Sequence, residues 1–407
     1  MFNKSNTPIL TRPLVHFLIF NFSLLILLTA CPDPPEETFC GQGMILQADT
    51  CACIPNSHPI DDGESCECDS LYHWNDELDE CVLDTSTHGF TWEMFLIGGN
   101  LSYFMDVEII NENDIWAVGE IHTDSALYNA ARWDGEQWDL IAIAPLGYVV
   151  RNSSIYWIES SDIWFGNGSL PIHWNGETYH QFTPRDDNYP GGNEIYGIYG
   201  TSYSNMYFAG ANGSVVHFDG QTFTSLDTGT ATDLREIHVS DDGEYIFFQG
   251  YHSRGYGTVL LQLHDGMFTT IYECETYDPG ESDYGYLFAS YLWDSKLISV
   301  TATGIWEYNY ITEESSLIPD SITNTANKAI RKIIGNSEND YILAANWWKF
   351  FHYNGNDFHY NDDLLQIIGE GGSRLYGGDM KGDLAAVCGT VLNTATEGYG
   401  GIAIGRR

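Results

Sequence analysis

The side chains best suited to chemistry in this chain are its nine cysteines. Six of them crowd together, at Cys40, Cys51, Cys53, Cys66, Cys68 and Cys81. Thiols at that density either hold a metal or oxidise in pairs. Structural zinc sites favour C-x2-C spacing, whereas this segment runs C-x-C twice and has little apolar content for a core, so it needs covalent staples. Three disulfides are therefore expected, and the spacing alone does not choose among the possible pairings. Cys274 and Cys388 stand far downstream and are expected to remain thiols. His173, His217 and His352 recur at equivalent places, with Arg132 in the same place one repeat earlier. No H-E-x-x-H, G-x-S-x-G, phosphate-binding loop or twelve-residue calcium loop occurs. No metal or cofactor is expected.

The elements that position these residues are read from Ala131 to Trp138, A-R-W-D-G-E-Q-W. Its pattern of strand end, Asp-Gly turn and aromatic returns at Gly176, Gly220, Gly266 and Gly355, and Asn309 holds the corresponding place in E-Y-N-Y. Asp-Gly and Asn-Gly between alternating apolar residues signal tight hairpins, expected here as type I′ turns with positive φ at both central positions. A period of 41 to 46 residues belongs to propeller blades. The second strand of each blade repeats as D-I-W-A-V-G from Asp114, D-I-W-F-G from Asp162, N-M-Y-F-A-G from Asn205 and D-Y-I-L-A-A from Asp340. Gly89 to Met94 matches Gly135 to Leu140, an outer strand without its three partners, while Gly400 to Arg406 reads as a third strand without an outer one. The two ends should complete one blade. The expected fold is all-β, a seven-bladed β-propeller closed by its amino-terminal strand, with a small disulfide-rich module before it. Closure leaves no free sheet edge, and a monomer is expected.

The propeller segment, 89–407, resembles secreted bacterial propellers of the Asp-box or kelch-like kind. Its motif is D-G-x-x-W, not the S-x-D-x-G-x-T-W of sialidases, so the resemblance implies an architecture and no activity. Trp116, Trp133, Trp164 and Trp174 are expected to pack between blades. Blades splay from the axis, so the histidine ring cannot converge on one ion. A glycosidase would place two carboxylates across the central pocket. A sialidase-like site would also need converging arginines, and the nine from Arg132 to Arg407 show no spacing that gathers three. Whether a carboxylate pair and an arginine cluster share the axial mouth is the discriminating observation.

Residues 1–30 carry only Lys4 and Arg12 as charges, and Phe17 to Leu28 is apolar apart from Asn21 and Ser23, as in an export signal. Leu28-Thr29-Ala30-Cys31 resembles the lipobox of bacterial lipoproteins, which implies that Cys31 becomes the acylated first residue. Residues 31–39 form an acidic, proline-rich tether. Residues 40–81 form the cysteine module, whose closing C-E-C-D-S-L-Y-H-W-N-D-E-L-D-E-C resembles the end of an EGF-like module, although its first half departs from that pattern. Residues 82–88 are a linker. The formal charge of −41 opposes nucleic acid.

These features point to a lipid-anchored envelope protein, on a bacterial outer membrane or cell surface, whose propeller binds a protein or glycan. The alternatives are a glycosidase-like enzyme and a periplasmic assembly scaffold. Binding is expected on the rim where outer-to-inner loops and second-to-third-strand loops gather, with Arg185, Tyr189, Tyr251, Arg254 and Trp347 as candidate contacts.

Overall fold

The computed structural model describes residues 44–47, 50–55, 57–60, 65–68, 72–75, 80–83 and 88–407, apart from 160, 241, 252–256, 276–284, 319–329, 369–372 and 393–397. The expected signal, Cys31, the tether, Cys40 and Arg254 lie outside the described residues, as does the Cys51 side chain. Among the described residues no helix is long and apolar enough to cross a membrane.

Each Asp-Gly or Asn-Gly turn joins the third and outer strands of a four-stranded antiparallel sheet, and there are seven such sheets. Blade one runs Tyr103–Asn111, Asp114–His122, Leu127–Trp133 and Trp138–Ile141 from axis to rim. The inner strands of blades two to seven are Asn152–Glu159, Ile195–Ser202, Leu234–Val239, Leu287–Trp293, Ile330–Ser337 and Arg374–Lys381.

The turns differ from the expected type in all but one copy. Trp133 pairs with Trp138, leaving four residues between them, and only Gly135 takes positive φ, at 98°. Asp134 Oδ1 instead accepts the Glu136 and Gln137 N–H groups, each at 2.8 Å. Asn175, Asp219 and Asn354 cap their turns in the same way. A local side-chain acceptor satisfies two amides that a two-residue turn would not leave open. Asn309 does so without a glycine, and Glu313 supplies the positive φ of 58°. The I′ form holds at the shortened copy, where Asp265 and Gly266 have φ of 51° and 72° between paired His264 and Met267.

Closure is as the chain ends suggest. Thr91–Ile97 pairs antiparallel with Gly398–Arg406, setting Trp92 opposite Gly405 and Phe95 opposite Ile402. Trp92 then stacks on Phe350 of blade six, with ring centroids 4.3 Å apart. Trp116, Trp133 and Trp164 are buried between blades, and Trp348 is fully buried against Gly401.

The recurrent histidines have a common partner, the residue at the start of the second strand in their own blade. His173 Nε2 lies 2.9 Å from Asp162, His217 Nε2 2.9 Å from Asn205 and His352 Nε2 2.8 Å from Asp340. Arg132 reaches Asp114 in blade one, and Arg407 reaches Asp383 in blade seven. Each pair clamps two strands within one sheet.

By internal contacts the chain divides into two units, 1–67 and 68–407. The first contains the hairpin Met44–Gln47 with Thr50–Cys53 and the disulfide Cys53–Cys66. The second begins with the disulfide Cys68–Cys81 across the hairpin Tyr72–Asn75 with Glu80–Leu83. Each bridge has a sequence separation of 13, a closure worth about 3 kcal/mol in chain-entropy terms. Cys274 and Cys388 are buried in the propeller.

Candidate binding face around the axial channel

All seven inner strands run in the same sense, and each carries a register shift near its start. The extra residues are Met105, Ser153, Tyr196, Arg235, Phe288, Arg331 and Tyr376. A bulge adds a residue and re-aims side chains where it occurs. Repeated seven times at one level, it forms a ring at the channel entrance, on the face where outer-to-inner and second-to-third-strand loops meet.

Over blades one to four the entrance carries a continuous polar and aromatic arc. Tyr103 donates to Glu120 at 3.1 Å, and Arg151 donates to the Tyr103 hydroxyl at 3.2 Å and pairs with Glu194. Tyr196 donates to Glu194 at 3.2 Å. The Arg235 guanidinium lies between the rings of Tyr196 and Tyr251, at 4.3 and 4.6 Å from their centroids, and Nη2 donates to Asp233 at 3.2 Å. Flanking rings hold the guanidinium plane in place, and its buried Nε has no hydrogen-bond partner among the described residues.

Deeper in the channel the inner strands place Asp106 and Glu108 of blade one, Glu236 of blade four, Lys332 of blade six and Asp379 of blade seven. Lys332 Nζ lies 3.1 Å from Glu236 Oε1, with side chains 22% and 12% exposed. Burial works against the charge of Lys332, but Glu236 and Asp106 outweigh it and hold the ammonium above the usual lysine range. Burial likewise opposes ionisation of Glu236, and Lys332 outweighs it to keep this carboxyl below the ordinary range. Burial pushes Asp106 up to about 6. Glu108 is held well above the usual range by burial and then by Asp379 and Asp106. Lys332, with Lys381 farther along, thus serves a ring of carboxyls that cannot all ionise.

These carboxyls are already engaged in bracing the ring. Asp106 accepts the Val107 and Ile155 N–H groups, and Asp379 accepts those of Ile109 and Met380, tying blade one to blades two and seven. Carboxylates and arginines do share the axis, but these two carboxylates are spent on backbone amides and Glu236 on Lys332.

The residues singled out from the sequence lie in different settings. Tyr251 is part of the arc. Arg185 has an almost fully exposed side chain beside Asp186. Trp347 is 36% exposed at φ 63°, on the second-to-third-strand loop of blade six. Tyr189 is 3% exposed and packs edge-on against Phe223 with ring centroids 5.0 Å apart, so its place is in the blade-three core and not on the surface. An aromatic in an irregular insertion has as much apolar area to hide as one in a strand. Tyr103, Arg151, Tyr196, Arg235 and Lys332 were missed. The available signal was a polar or aromatic residue at corresponding inner-strand places, obscured because the bulge breaks the alternation of a strand.

No family model and no curated protein matches the chain. Solved structures do. The YCF48 structure bound to D1 peptide is 14% identical with a TM-score of 0.56, over 79% of this chain and 96% of that one. YCF48 from Cyanidioschyzon merolae is 12% identical with a TM-score of 0.55, over 78% of this chain and 98% of that one. The extracellular domain of the hybrid two-component system BT4673 from B. thetaiotaomicron is 13% identical with a TM-score of 0.52, over 77% of this chain and 42% of that one. At these identities the likeness is one of fold.

Proposed function

We propose that this chain is a lipid-anchored protein of the bacterial cell envelope whose propeller is a binding platform for a protein or glycan. The observation that carries the reading is the arc of Tyr103, Arg151, Tyr196, Arg235 and Tyr251 at the axial entrance. It combines residue types enriched in binding hot spots with a closed ring that holds them rigidly. A similar propeller, YCF48, has been solved with a peptide bound, which is consistent with this use of the fold.

The platform is tested by shaving intact cells with protease and capturing partners with the purified chain. Replacing Arg185, Tyr251 and Trp347 together by Ala is expected to abolish capture, while circular dichroism stays unchanged and the melting temperature falls by no more than a few degrees. Tyr251→Ala removes one wall of the Arg235 stack, a contact worth about 0.5–2 kcal/mol. Undiminished capture by the triple variant would sink the reading.

The anchor is tested separately. Cys31→Ser is expected to move the protein from the detergent phase to the aqueous phase, or to leave it unprocessed. A mature amino terminus elsewhere, with Cys31 unmodified by mass spectrometry, rules out the lipid.

A further inference from the structure

The cations of this chain are scarce, and most of those described have a carboxylate beside them. It has 16 Lys and Arg against 57 Asp and Glu. Of the twelve that are described, eight have a carboxylate within 4 Å. Among the described residues, Arg331, Lys349, Arg374 and Lys381 have none within that distance. Lys381 lies at the far end of an inner strand, where it donates to the Ile110 carbonyl and covers Trp157. The other three lie on adjoining segments of blades six and seven.

Their proximity follows from the links between blades six and seven. Trp347 N–H donates to the Ser373 carbonyl at 3.3 Å, which brings the blade-six loop beside Arg374. The Asn346 amide lies between the Leu375 N–H, at 3.3 Å, and the Arg331 guanidinium, at 3.2 Å. Lys349 Nζ stands 6.0 Å above the Trp347 ring. Tyr376, 37% exposed, is the bulge residue of blade seven, matching Arg331 in blade six. The chain holds more than three acids for every base. Even so, among the described residues this sector of the entrance holds three cations without a carboxylate within 4 Å and two exposed aromatic rings.

We infer that this sector recognises a carboxylate-rich segment of a partner polypeptide, with Arg331, Lys349 and Arg374 taking its acids and Trp347 and Tyr376 its apolar stems. This rests on the platform reading and names the partner's chemistry. The whole chain repels an acidic peptide at long range, but at about 0.1 M salt the Debye length is ~10 Å, so the local patch governs the bound state.

The test is fluorescence anisotropy of a labelled hexaglutamate peptide and a labelled hexaglutamine peptide on the full chain, in about 0.1 M salt. Hexaglutamate is expected to bind at least about tenfold more tightly. Arg331→Gln, Lys349→Gln and Arg374→Gln together are expected to remove that preference, since three exposed ion pairs of modest strength sum to about a factor of ten. Arg406→Gln, on the opposite face, is expected to change nothing. Equal binding of the two peptides, or an unaltered preference in the triple variant, overturns the inference. If both peptides are held equally and Tyr251→Ala with Trp347→Ala releases them, the platform stands and only the acidic partner is lost. Displacement of hexaglutamate by an equal concentration of inorganic phosphate, or by anionic lipid vesicles, likewise overturns the assignment to a polypeptide.

Discussion

A chain beginning at Asn100 is expected to lose the cooperative unfolding transition shown by one beginning at Val82. Removing Thr91–Ile97 strips the outer strand from blade seven, leaving the Gly398–Arg406 edge without the seven register partners it now has. Each lost backbone hydrogen bond costs about 0.5–1.5 kcal/mol net. Trp92 and Phe90, 9% and 7% exposed, leave with it from the blade six and seven core, and loss of a buried aromatic typically costs about 3–5 kcal/mol. The sum matches or exceeds the whole stability of an ordinary domain, about 5–15 kcal/mol. The bare edge is also a template for intermolecular pairing, so light scattering on gentle heating should rise with loss of the transition. A short chain that melts like the long one would show that the ring does not depend on this strand.

The closing strand was legible in the sequence because it repeats a motif already seen five times. Gly89 to Met94 carries the same glycine, aromatic and alternation as Gly135 to Leu140, and pattern repetition survives when contacts are unknown. The blade count was legible for the same reason, even at Asn309, where the glycine is missing but the capping amide is kept. The turn type was not. The choice between a two-residue turn and a capped four-residue turn depends on which cross-strand pair closes first, and the aromatics at Trp133 and Trp138 decide it by pairing. The entrance arc was less legible still. Tyr103, Arg151, Tyr196 and Arg235 come from four blades and share no local motif, since a ring assembles its axis from residues about 40 positions apart. Tyr189 shows the converse error, in which composition suggested a surface and packing supplied a core.

Lys332→Met is expected to destabilise the propeller by about 3–5 kcal/mol at neutral pH, the usual cost of leaving one partner of a buried ion pair alone. Glu236 would lose the cation that holds its carboxyl low, and Asp106 and Glu108 would lose the same ammonium. The pH dependence distinguishes this cause from simple loss of packing. In the parent chain the Asp106 carboxyl is raised in the folded state to about 6, so its contribution is present at low pH and lost as pH rises through that value. Melting temperature should therefore climb as pH falls from about 7 toward 5. In the variant Glu236 joins the raised group, and the climb should steepen as that carboxyl, too, takes up a proton to avoid ionising alone. Asp340, held low against burial by His352 and Arg407, acts in the opposite sense and withdraws its stabilisation only in stronger acid. Adding Glu236→Gln to Lys332→Met removes the stranded charge and should recover most of the loss, because a neutral replacement of both partners costs little. Thermal melts of the single and double variants across this range give the answer. A single variant whose deficit is the same at every pH, and which Glu236→Gln does not repair, would show that Lys332 fills space and does not govern the charge of the channel.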